Sequence, residues 1–184
     1  MAARAPRTAP ATAPATAPAT ATPALSGPAP VVLVMGAGHV GCWLGGRLQA
    51  AGAQVHLVGR PRMLQALGTH GLALTDRDGG QLMLSAASLR LSDAVPAGLR
   101  PDLVLLCVKN GATAAAAGEL AAALPPGSVV VALQNGIQAA EVAQAAAPGL
   151  VVLRGLVGFN VAALGPGQLH RGTDGDLAMQ AHAG

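Results

Sequence analysis

Residues 31–41 read Val-Val-Leu-Val-Met-Gly-Ala-Gly-His-Val-Gly, an apolar run that leads directly into glycines spaced Gly-x-Gly-x-x-Gly. The run predicts a buried strand, and residues 40–50 after it are compatible with a helix. A glycine fingerprint is informative only in this strand, turn and helix context. Gly36 would turn the chain out of the strand, Gly38 would let backbone approach a pyrophosphate, and Gly41 would let helix and strand pack closely.

We expect the whole loop to hold the pyrophosphate of a dinucleotide. Its six residues are Gly36, Ala37, Gly38, His39, Val40 and Gly41. The helix that follows would present unpaired N–H groups and the positive end of its dipole, and both favour negative charge.

An arginine follows the second predicted strand, at a position that distinguishes the two nicotinamide dinucleotides. The strand is Gln54–Val58, and Gly59-Arg60-Pro61-Arg62 comes directly after it. About 20 residues beyond the fingerprint, an acidic residue binds the ribose 2′-hydroxyl of NAD, whereas an arginine accommodates the 2′-phosphate of NADP. Arg60 therefore predicts NADPH. The alternative is that Arg60 and Arg62 are solvated loop charges.

The first 30 residues differ in composition from the rest of the chain. They are almost wholly Ala, Thr and Pro and contain no acidic residue, so they lack the large apolar side chains that a core needs. We predict a disordered extension at residues 1–30 and one Rossmann-like NADP-binding domain at residues 31–184. The prolines argue against a signal or transit peptide, and no apolar stretch is long enough to span a bilayer. We therefore expect a soluble protein in the cytoplasm.

Composition also argues against nucleic-acid and metal binding. The formal net charge is +3, but two of the arginines belong to the extension and the remaining charges nearly balance. Trp43 and Phe159 are too few to form a stacking platform for single strands. Cys42 and Cys107 match no metal-ligand spacing, nor do the histidines and aspartates near the end of the chain. We expect two buried structural thiols and no metal.

The remaining patterns predict a doubly wound, mostly parallel α/β sheet with an inserted β-hairpin. Residues 71–75 and 81–85 flank an Asp-Gly bend, which is typical of a hairpin. Continuous apolar runs at 102–108 and 128–133 are of the kind buried in parallel sheets. Strands that alternate with helices imply right-handed crossovers. Further predicted elements are helices near 61–67 (ended by Gly68), 112–123 and 138–146, and β structure at 151–172 with a hairpin bend at 165–167.

Ligands of such sheets bind beyond the carboxyl ends of the strands, and the residues at these ends are polar. Lys109-Asn110 follows one apolar run, and Gln134-Asn135-Gly136 follows the next. Lys109 is the only lysine in the chain. The alternative is that these residues satisfy loop carbonyls and that Asn135-Gly136 is an ordinary turn pair.

Taken in order, these motifs resemble the N-terminal domain of ketopantoate reductase, also called 2-dehydropantoate 2-reductase. The matching segments cover roughly residues 31–180 and are Gly36-Ala-Gly-His-Val-Gly41, Arg60, Cys107-Val-Lys109-Asn110, Gln134-Asn135-Gly136-Ile137 and Gly165-Pro-Gly-Gln-Leu-His170-Arg-Gly172. The resemblance implies reduction of 2-dehydropantoate to pantoate by hydride transfer from NADPH, a step toward pantothenate and coenzyme A. It implies that Arg60 binds the 2′-phosphate, that Lys109 lies by the cofactor and the substrate, and that Asn135 contacts the nicotinamide ribose and the substrate.

In this family, the lysine that donates to the ketone and a supporting glutamate lie in a helical C-terminal domain, which we expect to be absent from this chain. We therefore assign no catalytic residue and expect a cofactor-binding half that transfers hydride poorly alone. Three alternatives remain. The chain is a non-enzymatic NADP-binding module or subunit that needs a separate helical partner, a reductase of another small 2-keto acid, or a degenerate remnant that aggregates through an apolar sheet face.

Overall fold

The apolar run before the glycines forms a central strand of a parallel sheet in the computed structural model, which describes residues 27–134 and 138–182. Within those residues the strands are β1 (Val31–Met35), β2 (Gln54–Val58), β3 (Leu72–Asp76), β4 (Gln81–Leu84), β5 (Arg90–Ser92), β6 (Leu103–Leu106), β7 (Val129–Ala132), β8 (Val151–Val157), β9 (Val161–Gly165), β10 (Gln168–Arg171) and β11 (Leu177–Met179). The α-helices are α1 (His39–Ala50), α2 (Pro61–His70), α3 (Thr113–Ala123) and α4 (Ala139–Ala146).

The larger sheet has the strand order β11-β8-β7-β6-β1-β2-β5. All neighbouring strands run parallel except β8 and β11, which are antiparallel. This order confirms the predicted Rossmann-like, mostly parallel sheet. It also places β1 between β2 and β6, so the segments after these three strands come together at one edge.

Both faces of the larger sheet are covered, as a doubly wound fold requires. Val32 and Val34 of β1 belong to one buried cluster, together with residues of α1, β3 and β10. Leu33 and Met35 belong to another, which includes Leu120 of α3. Successive residues of a strand point to opposite faces, so one continuous apolar strand supplies both cores.

The predicted hairpin is antiparallel β3–β4, and the predicted bend at 165–167 joins antiparallel β9 and β10. Both predictions are confirmed. The two hairpins combine into a four-stranded sheet, ordered β4-β3-β10-β9, that the sequence did not predict. The parallel pairing of β3 with β10 brings together Thr75 and His170, which are 95 residues apart. Because the two strands are far apart in sequence, no local sequence pattern indicates that they pair.

Helix α2 continues past Gly68, so the prediction that Gly68 ends it is wrong. The helix runs to His70, and Gly71 follows it with a φ of 73°. A Cβ at Gly71 would overlap the carbonyl oxygen of Leu84, whereas a Cβ at Gly68 would meet only Leu91 Cδ1, at 3.9 Å. The helix therefore ends where the backbone needs a positive φ next to β4.

Most of the predicted extension lies outside the described residues. Within them, no helix is both long enough and apolar enough to cross a bilayer.

Candidate functional site

The glycine loop joins β1 to α1 and is held against the end of β2. The N–H groups of Gly36 and Ala37 both donate to the carbonyl oxygen of Val58, at 2.9 and 2.7 Å. Gly38 N–H donates to the carbonyl oxygen of Gly36 at 2.8 Å, which closes the turn. These bonds fix the loop before any ligand arrives.

The protein itself requires two of the three fingerprint glycines. Gly36 has a φ of 115°, and a Cβ there would lie 2.7 Å from the carbonyl carbon of Cys107. A Cβ at Gly41 would overlap the carbonyl oxygen of Gly36 and approach Val34 Cγ1 to 2.9 Å. By contrast, a Cβ built on Gly38 meets no atom of the described residues within 4 Å, apart from its two neighbours in the chain. Packing explains the first and third glycines, whereas the second leaves open space over the loop.

The start of α1 is suited to an anion. The N-cap residue is Gly38, which has no side chain to cap the helix, and the first turn contains no acidic residue. The N–H groups of a first helical turn have no partner within the helix. Together with the helix dipole they favour a phosphate or carboxylate at this point.

A cleft of about 610 Å³ lies over the loop, at the carboxyl ends of β1, β2, β5 and β6. We call it the glycine-loop cleft. The residues that define it are Gly36, Gly38, Arg60, Met63, Asp93 and Lys109. Its volume is within the range of about 300–1,000 Å³ that is usual for small-molecule sites.

The backbone of Arg60 is fixed beside this loop. Arg60 is the N-cap of α2 with a φ of −73° and a ψ of 147°, the extended conformation that the following proline imposes. Its carbonyl oxygen accepts hydrogen bonds from the N–H groups of Met63 and Leu64 at 2.9 and 3.1 Å. The exposed side chain makes no capping bond. Neither salt bridge among the described residues involves this side chain, so its positive charge is available to bind an anion.

Lys109 lies on the opposite side of the loop from Arg60. It follows β6, and its carbonyl oxygen accepts a hydrogen bond from Ala112 N–H at 2.8 Å. Its side chain is exposed and lines both the glycine-loop cleft and a second cleft of about 420 Å³. We call the second one the strand-end cleft; it is defined by Val40, Lys109, Gln134, Phe159 and Asn160.

The strand-end cleft contains a buried amide. Gln134 is 8% exposed, and its Nε2 donates to Thr113 Oγ1 at 3.3 Å. Within the described residues no donor reaches Gln134 Oε1. Asn135, which the sequence also assigned to this region, lies outside the described residues. Phe159 and Asn160 were not predicted as site residues, because nothing local shows that the segment after β8 returns to this cleft.

The two cysteines are unsuited to nucleophilic chemistry. Burial raises the pKa of the Cys42 thiol to about 12. Burial, and secondly the nearby Cys42, raise the pKa of the Cys107 thiol to about 12 as well. Both thiols therefore stay protonated at neutral pH. Cys42 is buried as expected, whereas Cys107 is partly exposed and lines both clefts.

Polar residues near the end of the chain form hydrogen bonds and a salt bridge within the four-stranded sheet and its loops. His170 Nδ1 lies 3.0 Å from Thr75 Oγ1, and Asp174 forms a salt bridge with Arg77 at 2.7 Å. Arg171 lies over the ring of Phe159, 4.5 Å from its centroid. In the part of the chain that the structure describes, no group of three His, Cys, Asp or Glu residues is placed to hold a metal ion.

Comparisons with known proteins agree with this geometry. The family model described as "Ketopantoate reductase PanE/ApbA" matches residues 32–184. A 2-dehydropantoate 2-reductase from Pyrococcus horikoshii is 31% identical over 110 residues, which are 60% of this chain and 34% of that protein. The chain thus spans about a third of the length of that relative.

Among solved structures, a PanE/ApbA family ketopantoate reductase from Ralstonia eutropha JMP134 aligns with a TM-score of 0.72 and 32% identity, over 81% of this chain and 48% of that one. A 2-dehydropantoate 2-reductase from Methylococcus capsulatus aligns with a TM-score of 0.68 and 26% identity, over 81% and 47% of the two chains. The chain spans about half the length of these two structures.

Proposed function

Because this chain belongs to the ketopantoate reductase PanE/ApbA family, we propose that it binds NADPH for the reduction of 2-dehydropantoate to pantoate. The observation that carries the proposal is the position of Arg60. Its backbone is held beside a glycine loop whose second glycine faces open space, and its exposed guanidinium forms no salt bridge with a described residue. We also propose a cytoplasmic location, since the unpaired thiols suit a reducing compartment.

The residues present fit the dinucleotide. The open space at Gly38 admits a pyrophosphate to the start of α1. Arg60 would pair with the 2′-phosphate, and its guanidinium suits a phosphate because it offers several donors in one plane. Asp93 also lines the glycine-loop cleft but forms no salt bridge with Arg60. The cofactor, when bound, would supply the hydride.

The substrate would meet the cofactor on the strand-end side of Lys109. This lysine borders both clefts, so its ammonium would attract the carboxylate of a 2-keto acid or the oxygen that gains charge during reduction. We propose from the family motif that Asn135 contacts the nicotinamide ribose and the substrate. We assign the proton donor for the new hydroxyl to no described residue, and we therefore expect slow transfer by the chain alone.

A single-turnover assay tests the reaction. The purified chain, in excess over NADPH, is mixed with 2-dehydropantoate, and the loss of NADPH absorbance is followed. We expect slow oxidation that depends on the keto acid and disappears in Arg60→Ala. A rate equal to that without protein would refute reduction by this chain, while NADPH binding would be judged separately by titration.

A further inference from the structure

A third cleft, of about 570 Å³, opens beside the glycine-loop cleft. We call it the arginine cleft; the residues that define it are His39, Arg60, Arg62, Met63, Pro166 and Leu169. Arg60 and Met63 also line the glycine-loop cleft. The two clefts therefore adjoin at the start of α2, where the 2′-phosphate of NADPH is expected.

Positive and proton-donating side chains line the arginine cleft, and among the described residues no carboxylate does. His39, Arg60 and Arg62 are all exposed. Within the described residues, none of the three takes part in an ion pair or a side-chain hydrogen bond. Arg60 and Arg62 carry like charges and line one cleft, and like charges without a counter-ion repel. An anion at this point would be stabilised by all three side chains.

We propose that the mouth of the arginine cleft is a subsite for the 2′-phosphate of NADPH, in which Arg62 and His39 act together with Arg60. The proposal rests on the proposed function. It extends the anion contact from Arg60, the N-cap of α2, to His39, the first residue of α1, and Arg62, the second residue of α2.

The chemistry of these residues supports a shared contact. The first residue of α2 is Pro61, which has no N–H, so side chains must supply donors that the helix start lacks. Each guanidinium can donate two parallel hydrogen bonds to one phosphate. A neutral imidazole still donates one N–H. NADH has no 2′-phosphate and would leave all three groups unused.

Two small ligands isolate this subsite. Adenosine 2′,5′-bisphosphate and 5′-AMP differ only in the 2′-phosphate, and calorimetric titration gives the affinity of each for the 184-residue chain. We expect Arg62→Ala to weaken binding of the bisphosphate about tenfold, and His39→Asn to weaken it about threefold. The affinity for 5′-AMP should change by less than about twofold.

Arg47→Ala is the matched control. Arg47 is an exposed arginine on α1 that lines none of the three clefts. Arg47→Ala lowers the net charge as much as Arg62→Ala does. It therefore measures the effect of the long-range electrostatic field alone. Thermal unfolding of each variant checks that the fold is retained.

The outcomes separate this inference from the proposed function. Three results would overturn the subsite. Arg62→Ala could weaken the binding of both ligands equally, it could leave the affinity for the bisphosphate unchanged, or Arg47→Ala could lower that affinity by the same factor. If the parent chain prefers the bisphosphate and only Arg60→Ala removes the preference, NADPH selection stands and the subsite fails. If the parent chain does not distinguish the two ligands, both proposals fail.

Discussion

Arg60 and Lys109 lie on opposite sides of the glycine loop and line the same cleft. The sheet order explains this relationship, because β2 and β6 are the two parallel neighbours of β1. The residues that follow these strands therefore flank the loop that follows β1. We propose that this guanidinium and this ammonium flank the phosphates of a dinucleotide that lies across the strand ends.

The contrast between Gly36 and Gly38 gives the first prediction. Gly36→Ala should lower the free energy of unfolding by roughly 2 kcal/mol or more, because its Cβ would meet the Cys107 backbone at a φ of 115°. Gly38→Ala should change it by less than about 1 kcal/mol yet weaken NADPH binding by about tenfold or more, since the methyl group would occupy the pyrophosphate's approach. Denaturant unfolding and NADPH titration measure the two effects.

Gly118→Ala is the control for these variants. Beyond its own helix, a Cβ there also meets no atom of the described residues within 4 Å, and Gly118 lies in α3 and lines none of the three clefts. Unchanged NADPH affinity in Gly38→Ala would contradict our assignment of the open space to the cofactor.

Lys109 allows a protection experiment. It is the only lysine in the chain and lines two clefts, so an amine reagent has just this side chain and the α-amino group as targets. NADPH should slow acylation of Lys109 by about fivefold or more, because its phosphates and ribose would cover the ammonium. Mass spectrometry of peptides measures the rate, with the α-amino group as internal reference. Equal slowing at both amines, or none, would place Lys109 outside the cofactor site.

Thiol reactivity tests the raised pKa values of Cys42 and Cys107. Because burial raises the pKa of each thiol to about 12, the reactive thiolate is scarce at neutral pH. We expect a disulfide reagent to label the folded chain slowly at about pH 7.5 and both thiols rapidly after unfolding. Rapid labelling of Cys107 in Cys42→Ser would show that the segment after β6 is more open than the structure indicates.

His56 should make stability depend on pH. Partial burial, and secondly the positive charge of Arg90, lower the pKa of His56 from its ordinary value of 6.5; the two residues are register partners on β2 and β5. The folded state therefore favours the neutral ring. This contribution is fully present above pH 6.5 and is lost as the pH falls through the lowered value.

His56→Gln should therefore reduce the fall in thermal midpoint between about pH 7.5 and about pH 5. His70→Gln, at an exposed position in the last turn of α2, is the control. An identical pH profile in the parent chain and His56→Gln would contradict the assignment.

Local signals predicted the parts of this fold that depend on local chemistry. The apolar runs, the glycine spacing and the Asp-Gly bend each specify a strand, a turn or a hairpin within a few residues. The four-stranded sheet and the short edge strands β5 and β11 depend on partners distant in sequence, so no local pattern predicted them.

In the candidate site, too, residues marked by local sequence were predicted, whereas features formed by distant segments were not. Arg60 and Lys109 were predicted because they lie within two residues of the ends of predicted parallel strands, and the structure places them in one cleft. The arginine cleft was not predicted, because it forms only when the β9–β10 turn lies near α2. Asn135 lies outside the described residues, so its role remains a prediction.

Titration of the chain with NADPH and with NADH tests the central claim most directly. Trp43 is the only tryptophan, is buried in α1 just past the glycine loop, and should transfer energy to a bound reduced nicotinamide. We predict that NADPH binds at least about tenfold more tightly than NADH and that Arg60→Ala removes this difference. Equal affinity for the two dinucleotides, or a preference that survives in Arg60→Ala, would contradict the assignment of Arg60 to the 2′-phosphate.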